Sequence, residues 1–313
     1  MFLEQVDLSK NPFWKYILGS FVIIIFSVIG QLPLTYVLIE SGPVSPGTDP
    51  MDMLRNLDKN LQLFLLLIPF AVGLLGFWLV IKKLNERSLL SVTTSRSKID
   101  WSRVFFAFAI WGMFSIVLIV GDYFIAPDSY EWNFNAKSFA ILLVIAVALI
   151  PIQTSLEEYI FRGYLMQGFA GIFKNRWGPL VMTSIIFGCL HLFNPEVEKL
   201  GYGIMVYYIG TGLFLGILTL MDEGIELALG FHAANNLFTA LLVTADWTAL
   251  QTHSVFKDVG DPEVMKLTEI MVPVFVVFPV LIFILAKKYN WTNWNDKLFG
   301  TVKNTMIDDT TLH

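Results

Sequence analysis

Long apolar stretches recur along this chain, and short polar stretches separate them. The apolar runs cover about 14–39, 61–81, 104–126, 138–173, 178–194, 201–221, 224–245 and 267–286. Most are close to the roughly 20 residues that a helix needs to cross a bilayer. Backbone polar groups in hydrocarbon need internal partners, and no run alternates with period two as in an outer-membrane barrel. The pattern predicts an all-α bundle of about eight transmembrane helices.

The composition agrees with a polytopic membrane protein. Hydrophobic residues make up 55% and charged residues 15% of the chain, and the mean hydropathy is +0.64. Ordinary soluble domains hold about 45–50% apolar and about 25% charged residues, which excludes a soluble or disordered protein. The net charge of −5 argues against nucleic acid as the main partner, because phosphate binding needs a basic surface. Cys189 is the single cysteine, so no intrachain disulfide can form.

Lysine and arginine residues are unevenly distributed between the two sides of the membrane when each apolar run is taken as one span. With the N-terminus in the cytoplasm, the cytoplasmic segments hold fourteen of these residues and the opposite segments hold six. Cytoplasmic loops carry the excess of positive charge, so we expect both termini to be cytoplasmic. The first run lacks a small-residue cleavage site, which favours a retained span over a signal peptide. The compact chain without a targeting extension favours a bacterial inner membrane.

Three ionisable residues lie close together in the fourth apolar run, where each such group is costly. They are Glu157, Glu158 and Arg162, in the segment SLEEYIFRG. Glu158 and Arg162 are one helical turn and about 40° apart, so they can form an ion pair on one face. Glu157 lies about 140° from Arg162 and points elsewhere. The ion pair is equally consistent with a purely structural role, whereas Glu157 is free for another partner.

Two histidines lie in similarly apolar surroundings. His191 ends the sequence FGCLH in the fifth run, and Phe187 lies four residues before it, where packing is its simplest role. His232 is in the seventh run, with Asn236 four residues later on the same face. Counted from one membrane side, these residues and Glu157 lie about 12–24 Å deep. They can therefore share one cavity, provided that the fourth helix continues to about residue 173.

Such a cavity can support hydrolysis of an amide bond. Glu157 and His191 can take a proton from water and direct the hydroxide at a carbonyl carbon. His232 and Asn236 can donate hydrogen bonds to the resulting oxyanion. Glu158 with Arg162 would hold the helix geometry. Nearby Gln153, Asn194 and Asn235 are expected to make interhelical hydrogen bonds.

The ordered motifs resemble the CPBP family, the CAAX protease and bacteriocin-processing family that is also called the Abi family. This family includes the Ras-converting CAAX endopeptidases. Each motif alone is weak, but three in order on apolar helices are specific together. They are Glu-Glu-x-x-x-Arg, Phe-x-x-x-His and His-x-x-x-Asn, carried by Glu157, Glu158, Arg162, Phe187, His191, His232 and Asn236.

The resemblance implies an eight-helix, glutamate-dependent intramembrane endopeptidase. It implies that Glu157 and His191 activate water, that His232 and Asn236 form the oxyanion site, and that no metal is required. Its substrate would be a membrane-associated peptide or protein, and the family name suggests prenylated C-termini or bacteriocin precursors. The resemblance covers a catalytic core over 137–245. We expect three helices and their loops over 1–136, and an external loop, the last helix and a cytoplasmic tail over 246–313.

Three other functions remain open at this point. A zinc hydrolase would use Glu157, His191 and His232 as ligands. A catalytically idle protein that binds a partner or confers self-immunity would retain the motifs for stability. A proton-coupled transporter ranks last, because the chain shows no repeated half with paired broken helices.

Overall fold

The computed structural model describes residues 1–7, 9–40, 53–54, 56–261 and 267–302. The loop between the first two apolar runs, one of the loops expected over 1–136, lies largely outside the described residues. The end of the predicted cytoplasmic tail, 303–313, lies wholly outside them.

Eight longer helices occupy the eight apolar stretches in the described part of the chain. They are α1 Phe13–Glu40, α2 Lys59–Leu84, α3 Trp101–Ile125, α4 Ala136–Phe173, α5 Trp177–Cys189, α6 Tyr202–Asp222, α7 Glu226–Leu242 and α8 Ile270–Lys288. Shorter helical segments cover Phe2–Glu4, Leu89–Thr93, Pro127–Ser129, Pro195–Leu200 and Trp294–Phe299. The predicted helix bundle is confirmed.

Two of the eight longer helices are too short to meet the length expected of a membrane-crossing helix. Among the described residues, six helices are long and apolar enough to cross a membrane, and these exclude α5 and α7. Helix α5 has 13 residues and α7 has 17, so they extend about 20 and 26 Å, short of a hydrocarbon core of about 30 Å. The prediction of about eight transmembrane helices is therefore approximate.

Helix α7 is short and comparatively polar, and other helices surround it. It packs chiefly against α3 and α4, and most of its residues are buried. Small residues allow the close approach: a Cβ atom at Gly230 would collide with the Val104 carbonyl oxygen of α3. Such small-residue contacts are typical of helix packing in membranes. The central position of α7 places its polar side chains inside the bundle.

A small three-stranded sheet covers one end of the bundle. Its strands are β1 Tyr130–Trp132, β2 Val243–Ala245 and β3 Phe256–Asp258, with β3 in the middle, antiparallel to β1 and parallel to β2. Phe256 stacks on Tyr123 of α3, with ring centroids 4.6 Å apart. The part of the chain from residue 246 to the last helix was expected to be an external loop, and β3 forms within it because its backbone pairs with β1 and β2.

A network of ion pairs closes the opposite end. Asp222 and Glu226 flank the turn between α6 and α7 and are buried. Arg96 lies 3.0 Å from Asp222 and 3.2 Å from Glu226, and Arg103 lies 2.9 Å from Asp222. The indole Nε1 of Trp291 also donates to Asp222, at 3.2 Å. This turn has no basic residue of its own. Its negative charge is compensated by Arg96, which precedes α3, and by Arg103 in the first turn of α3.

Two leucines test which faces form the core. Leu218 on α6 is fully buried, whereas Leu118 on α3 is 51% exposed on the outer surface. Leu218→Ala should lower the free energy of unfolding by about 2–5 kcal/mol, because it leaves a cavity. Leu118→Ala should change it by about 0.5 kcal/mol or less. Denaturation in mixed detergent micelles measures both, and equal losses would contradict the described packing.

Candidate functional site

Helix α4 satisfies the condition on which the predicted site depends, because it continues to Phe173. Its backbone changes to π-helical turns over Tyr159–Leu165, directly after Glu157 and Glu158. Single π-helical turns are rare and occur frequently at functional sites. The two glutamates thus end the first regular α-helical part of α4, and the α-helix resumes at Met166.

Glu158 and Arg162 form the ion pair that their spacing predicts. Arg162 Nη1 donates to Glu158 Oε1 at 2.8 Å, and both side chains are buried, at 1% and 0% exposure. Arg162 Nη2 donates to the Gly212 carbonyl of α6 at 3.3 Å, and the guanidinium carbon lies 4.5 Å from the centre of the Phe187 ring. The pair thereby connects α4 with α5 and α6.

His232 binds the same carboxylate from α7. Its Nδ1 lies 2.7 Å from Glu158 Oε1, and its Nε2 lies 3.7 Å from Glu157 Oε2. A carboxylate beside an arginine accepts hydrogen bonds, so Nδ1 of His232 carries a hydrogen. Neutral His232 then presents a lone pair at Nε2, and only its imidazolium form donates from that atom. The predicted oxyanion role of His232 therefore requires the protonated ring.

Glu157 faces away from the buried pair, as predicted. Its side chain is 16% exposed, and Gln153 Nε2 donates to its Oε1 at 2.8 Å. Gln153 lies one turn earlier on α4 and was expected to bond between helices. The amide NH₂ group orients the Glu157 carboxylate from within the same helix, and the Gln153 Oε1 accepts from Asn236 Nδ2 of α7 at 3.4 Å, which is the expected interhelical hydrogen bond.

His191 lies in the turn after α5, not within a helix. The fifth apolar run continues to about residue 194, but α5 ends at Cys189, and the His191 N–H donates to the Gly188 carbonyl at 2.9 Å. His191 Nδ1 lies 2.9 Å from the Phe187 carbonyl oxygen, so Nδ1 carries the hydrogen and Nε2 can accept a proton. Apolar composition predicted the run, but it could not show that the helix ends at Cys189 and that a turn follows within the run.

Tyr208 of α6 is a neighbour of the site that the sequence did not indicate. Its ring stacks on His191, with centroids 4.4 Å apart and planes at 22°. Phe187 also packs against both histidines. Its ring centroid lies 4.9 Å from that of His191 and 6.0 Å from that of His232. No spacing rule links α6 to the motifs, because the contact depends on packing between separate helices.

Glu157, His191 and Asn236 line one cavity of about 1110 Å³ with mostly apolar walls. His232 lies behind this surface and approaches Glu157 through Nε2. In the part of the chain that the structure describes, no hydrogen bond joins Glu157 to His191. The two groups therefore face a common space rather than each other.

The side chains do not assemble a metal site in the described residues. No three His, Cys, Asp or Glu side chains converge there in a way that could hold an ion. Of the set considered for zinc, Glu157 and His232 are neighbours, but His191 contacts Phe187 and Tyr208 instead. The zinc arrangement does not fit this geometry.

Comparison with known proteins supports a family assignment. The model of the family described as "Type II CAAX prenyl endopeptidase Rce1-like" matches residues 136–238, which contain the whole site. The "Uncharacterized protein YyaK" of Bacillus subtilis (strain 168) is 34% identical over 248 residues, covering 78% of this chain and 82% of that protein. No solved structure shows a significant match to the chain.

Removal of one partner tests the buried ion pair. Arg162→Met should destabilise the protein by about 3–5 kcal/mol, because Glu158 loses its cationic partner. The double variant Glu158→Gln with Arg162→Met should recover part of that loss, since no buried charge remains unpaired. The free energy of unfolding and the yield of monodisperse protein measure both variants. Equal values for the single and double variants would show that the pair is not coupled.

Proposed function

We propose that this protein, which belongs to the Rce1-like family of type II CAAX prenyl endopeptidases, is an intramembrane endopeptidase. It would hydrolyse a peptide bond of a membrane-associated peptide or protein. The observation that carries the proposal is that Glu157, His191 and Asn236 line the same cavity inside a helix bundle. A carboxylate, an imidazole and an amide together can activate water and stabilise an oxyanion, which supports amide hydrolysis without a covalent intermediate.

Water activation is the proposed role of Glu157 and His191. A water molecule between them would donate to the Glu157 carboxylate and to the free Nε2 of His191. Its oxygen would attack the carbonyl carbon as its proton passes to Glu157. The same proton would then move to the leaving amine as the C–N bond breaks, which restores the carboxylate. The Phe187 carbonyl supports this role, because it keeps His191 in the tautomer that accepts at Nε2.

Oxyanion stabilisation is the proposed role of Asn236 and His232. Asn236 lines the cavity, and its NH₂ group would donate to the oxygen that gains charge in the tetrahedral intermediate. Protonated His232 can donate from Nε2 in the same region. Donors that are fixed before the reaction act more strongly in a dry cavity than in water. Glu158 contributes indirectly, since it holds the His232 ring through Nδ1.

The walls of the cavity favour an apolar substrate. They are formed largely by aliphatic and aromatic side chains of α1, α2, α4 and α5, including Ile23, Leu67, Phe70, Ile160 and Ile186. The family description names prenyl substrates, and we propose that the cavity accepts a peptide with an apolar or lipid-bearing segment. The cavity volume exceeds that of ordinary drug-sized sites, which leaves room for such a segment beside the peptide.

The protein is an integral multi-pass membrane protein, and its setting can be proposed more narrowly. The distribution of Lys and Arg supports cytoplasmic termini, and we propose a bacterial inner membrane. Reporter fusions to both termini test the orientation.

A comparison of protein termini in host membranes tests proteolysis directly. New termini should appear with the wild type and disappear with Glu157→Gln at matched expression, because the amide cannot accept the proton from water. The expected loss of cleavage rate is at least about 10²-fold. Glu198→Gln, at an exposed glutamate of the segment Pro195–Leu200, is the matched control and should keep the wild-type termini. Identical termini for wild type and Glu157→Gln would indicate a protein that binds a partner without cleaving it.

We further propose that the reaction needs no metal. Wild-type cleavage should persist after treatment with phenanthroline and in protein shown to be metal-free by elemental analysis. Loss of cleavage with recovery on addition of zinc would instead favour a zinc enzyme that rearranges Glu157, His191 and His232 around the ion.

A further inference from the structure

A line of four hydrogen bonds crosses the bundle from α3 to α4 and ends on Glu157. Trp111 Nε1 donates to Asn235 Oδ1 at 3.1 Å, and Asn235 Nδ2 donates to Asn236 Oδ1 at 3.1 Å. Asn236 Nδ2 donates to Gln153 Oε1 at 3.4 Å, and Gln153 Nε2 donates to Glu157 Oε1 at 2.8 Å. Three amides thus connect an indole with the carboxylate of the proposed base.

The chemistry of the two end groups sets the direction of this line. An indole N–H can only donate, and an ionised carboxylate can only accept. If the amides were reversed, an NH₂ group of Asn235 would face the Trp111 N–H, and a carbonyl oxygen of Gln153 would face Glu157. Both contacts are repulsive and leave buried polar groups unpaired, which costs about 1–3 kcal/mol for each group. The end groups therefore favour one orientation of every amide between them.

This direction matters most at Asn236, which lines the cavity. An asparagine amide presents either its oxygen or its NH₂ group, and only the NH₂ group can stabilise an oxyanion. Asn235 occupies the Asn236 oxygen, so the NH₂ group lies on the side of Gln153 and Glu157. One of its two N–H bonds is directed at Gln153, and the described residues offer no acceptor for the other.

We propose that Trp111 and Asn235 are positioning residues that keep the Asn236 amide with its N–H groups toward the reacting carbonyl. This inference rests on the proposed endopeptidase function. Trp111 is not among the residues that line the cavity, whereas Asn235 is, and in this scheme both act through Asn236. Trp111 acts from α3, a helix outside the residues matched by the family model.

Packing holds the Trp111 indole in one orientation. Trp111 is 7% exposed, and its ring centroid lies 4.3 Å from Phe231 and 5.2 Å from Phe114. Phe231 directly precedes His232 on α7, so the ring is held against the helix that carries Asn235 and Asn236. A ring confined in this way cannot turn its N–H away from Asn235 without displacing the core.

Trp111→Phe keeps an aromatic ring and removes the donor. Its kcat should fall about tenfold with KM within about twofold of the wild type, because the Asn236 donor is lost in the transition state rather than in substrate binding. The assay uses a quenched-fluorescence peptide that spans the cleavage site found with the wild type. Asn235→Asp should also lower kcat, since it keeps the acceptor for Trp111 but loses the donor to Asn236.

Trp291→Phe is the matched control. Trp291 is 9% exposed, belongs to the same apolar cluster as Trp111, and also donates its indole N–H to a buried acceptor, Asp222. Its bond is in the ion-pair network at the end of the bundle and not in the line to Glu157. If indole bonds matter only for stability, both variants should lose stability and rate alike. The inference predicts a lower kcat for Trp111→Phe and an unchanged kcat for Trp291→Phe.

The outcomes separate this inference from the proposed function. Wild-type cleavage with equal kcat in both tryptophan variants overturns the positioning role and leaves the endopeptidase function intact. Absence of wild-type cleavage of any membrane protein overturns the function, and the positioning role falls with it. Raman difference spectra of wild type and Trp111→Phe give a readout without turnover, because the indole N–H band reports its hydrogen bond. A band typical of a free indole overturns the inference regardless of activity.

Discussion

A carboxylate inside a membrane protein is stable only when other groups compensate its charge, and Glu158 imposes this condition on the whole bundle. Arg162 supplies the opposite charge from the next turn of α4. Arg162 in turn needs further acceptors and finds the Gly212 carbonyl on α6, while His232 reaches Glu158 from α7. Charged groups at this depth are costly when unpaired, so these bonds hold α4, α6 and α7 in one arrangement.

Compensation of the Glu158 charge also determines which groups are available for the proposed chemistry. Because Glu158 satisfies Arg162, the neighbouring Glu157 carries no structural ion pair with that residue and faces the cavity. Acceptors hold the Nδ1 atoms of both histidines: Glu158 for His232 and the Phe187 carbonyl for His191. Each imidazole therefore presents Nε2 for proton exchange. In a proton-transfer reaction, the tautomer decides which group accepts and which donates, and here it is set by groups that do not themselves react.

The cavity exists because two central elements are short. Helix α5 ends at Cys189, and the turn that follows brings His191 into the interior rather than continuing through the bundle. Helix α7 ends at Leu242 and passes directly into β2, whose residues Thr244 and Ala245 also line the cavity. Thr244 and Ala245 are buried, whereas Leu190 and Phe193 in the turn after α5 are exposed.

The sequence by itself determined the helices, since apolar composition over about 20 residues is a local property. It also determined that Glu158 and Arg162 share a face and that Glu157 does not, because spacing along one helix sets direction around its axis. Only the tertiary structure decided that His232 binds Glu158, that His191 lies in a turn stacked on Tyr208, and that Trp111 connects to Glu157 through three amides. These contacts join segments far apart in the chain. Their geometry depends on which helices pack together and how closely, and no spacing within one segment carries that information.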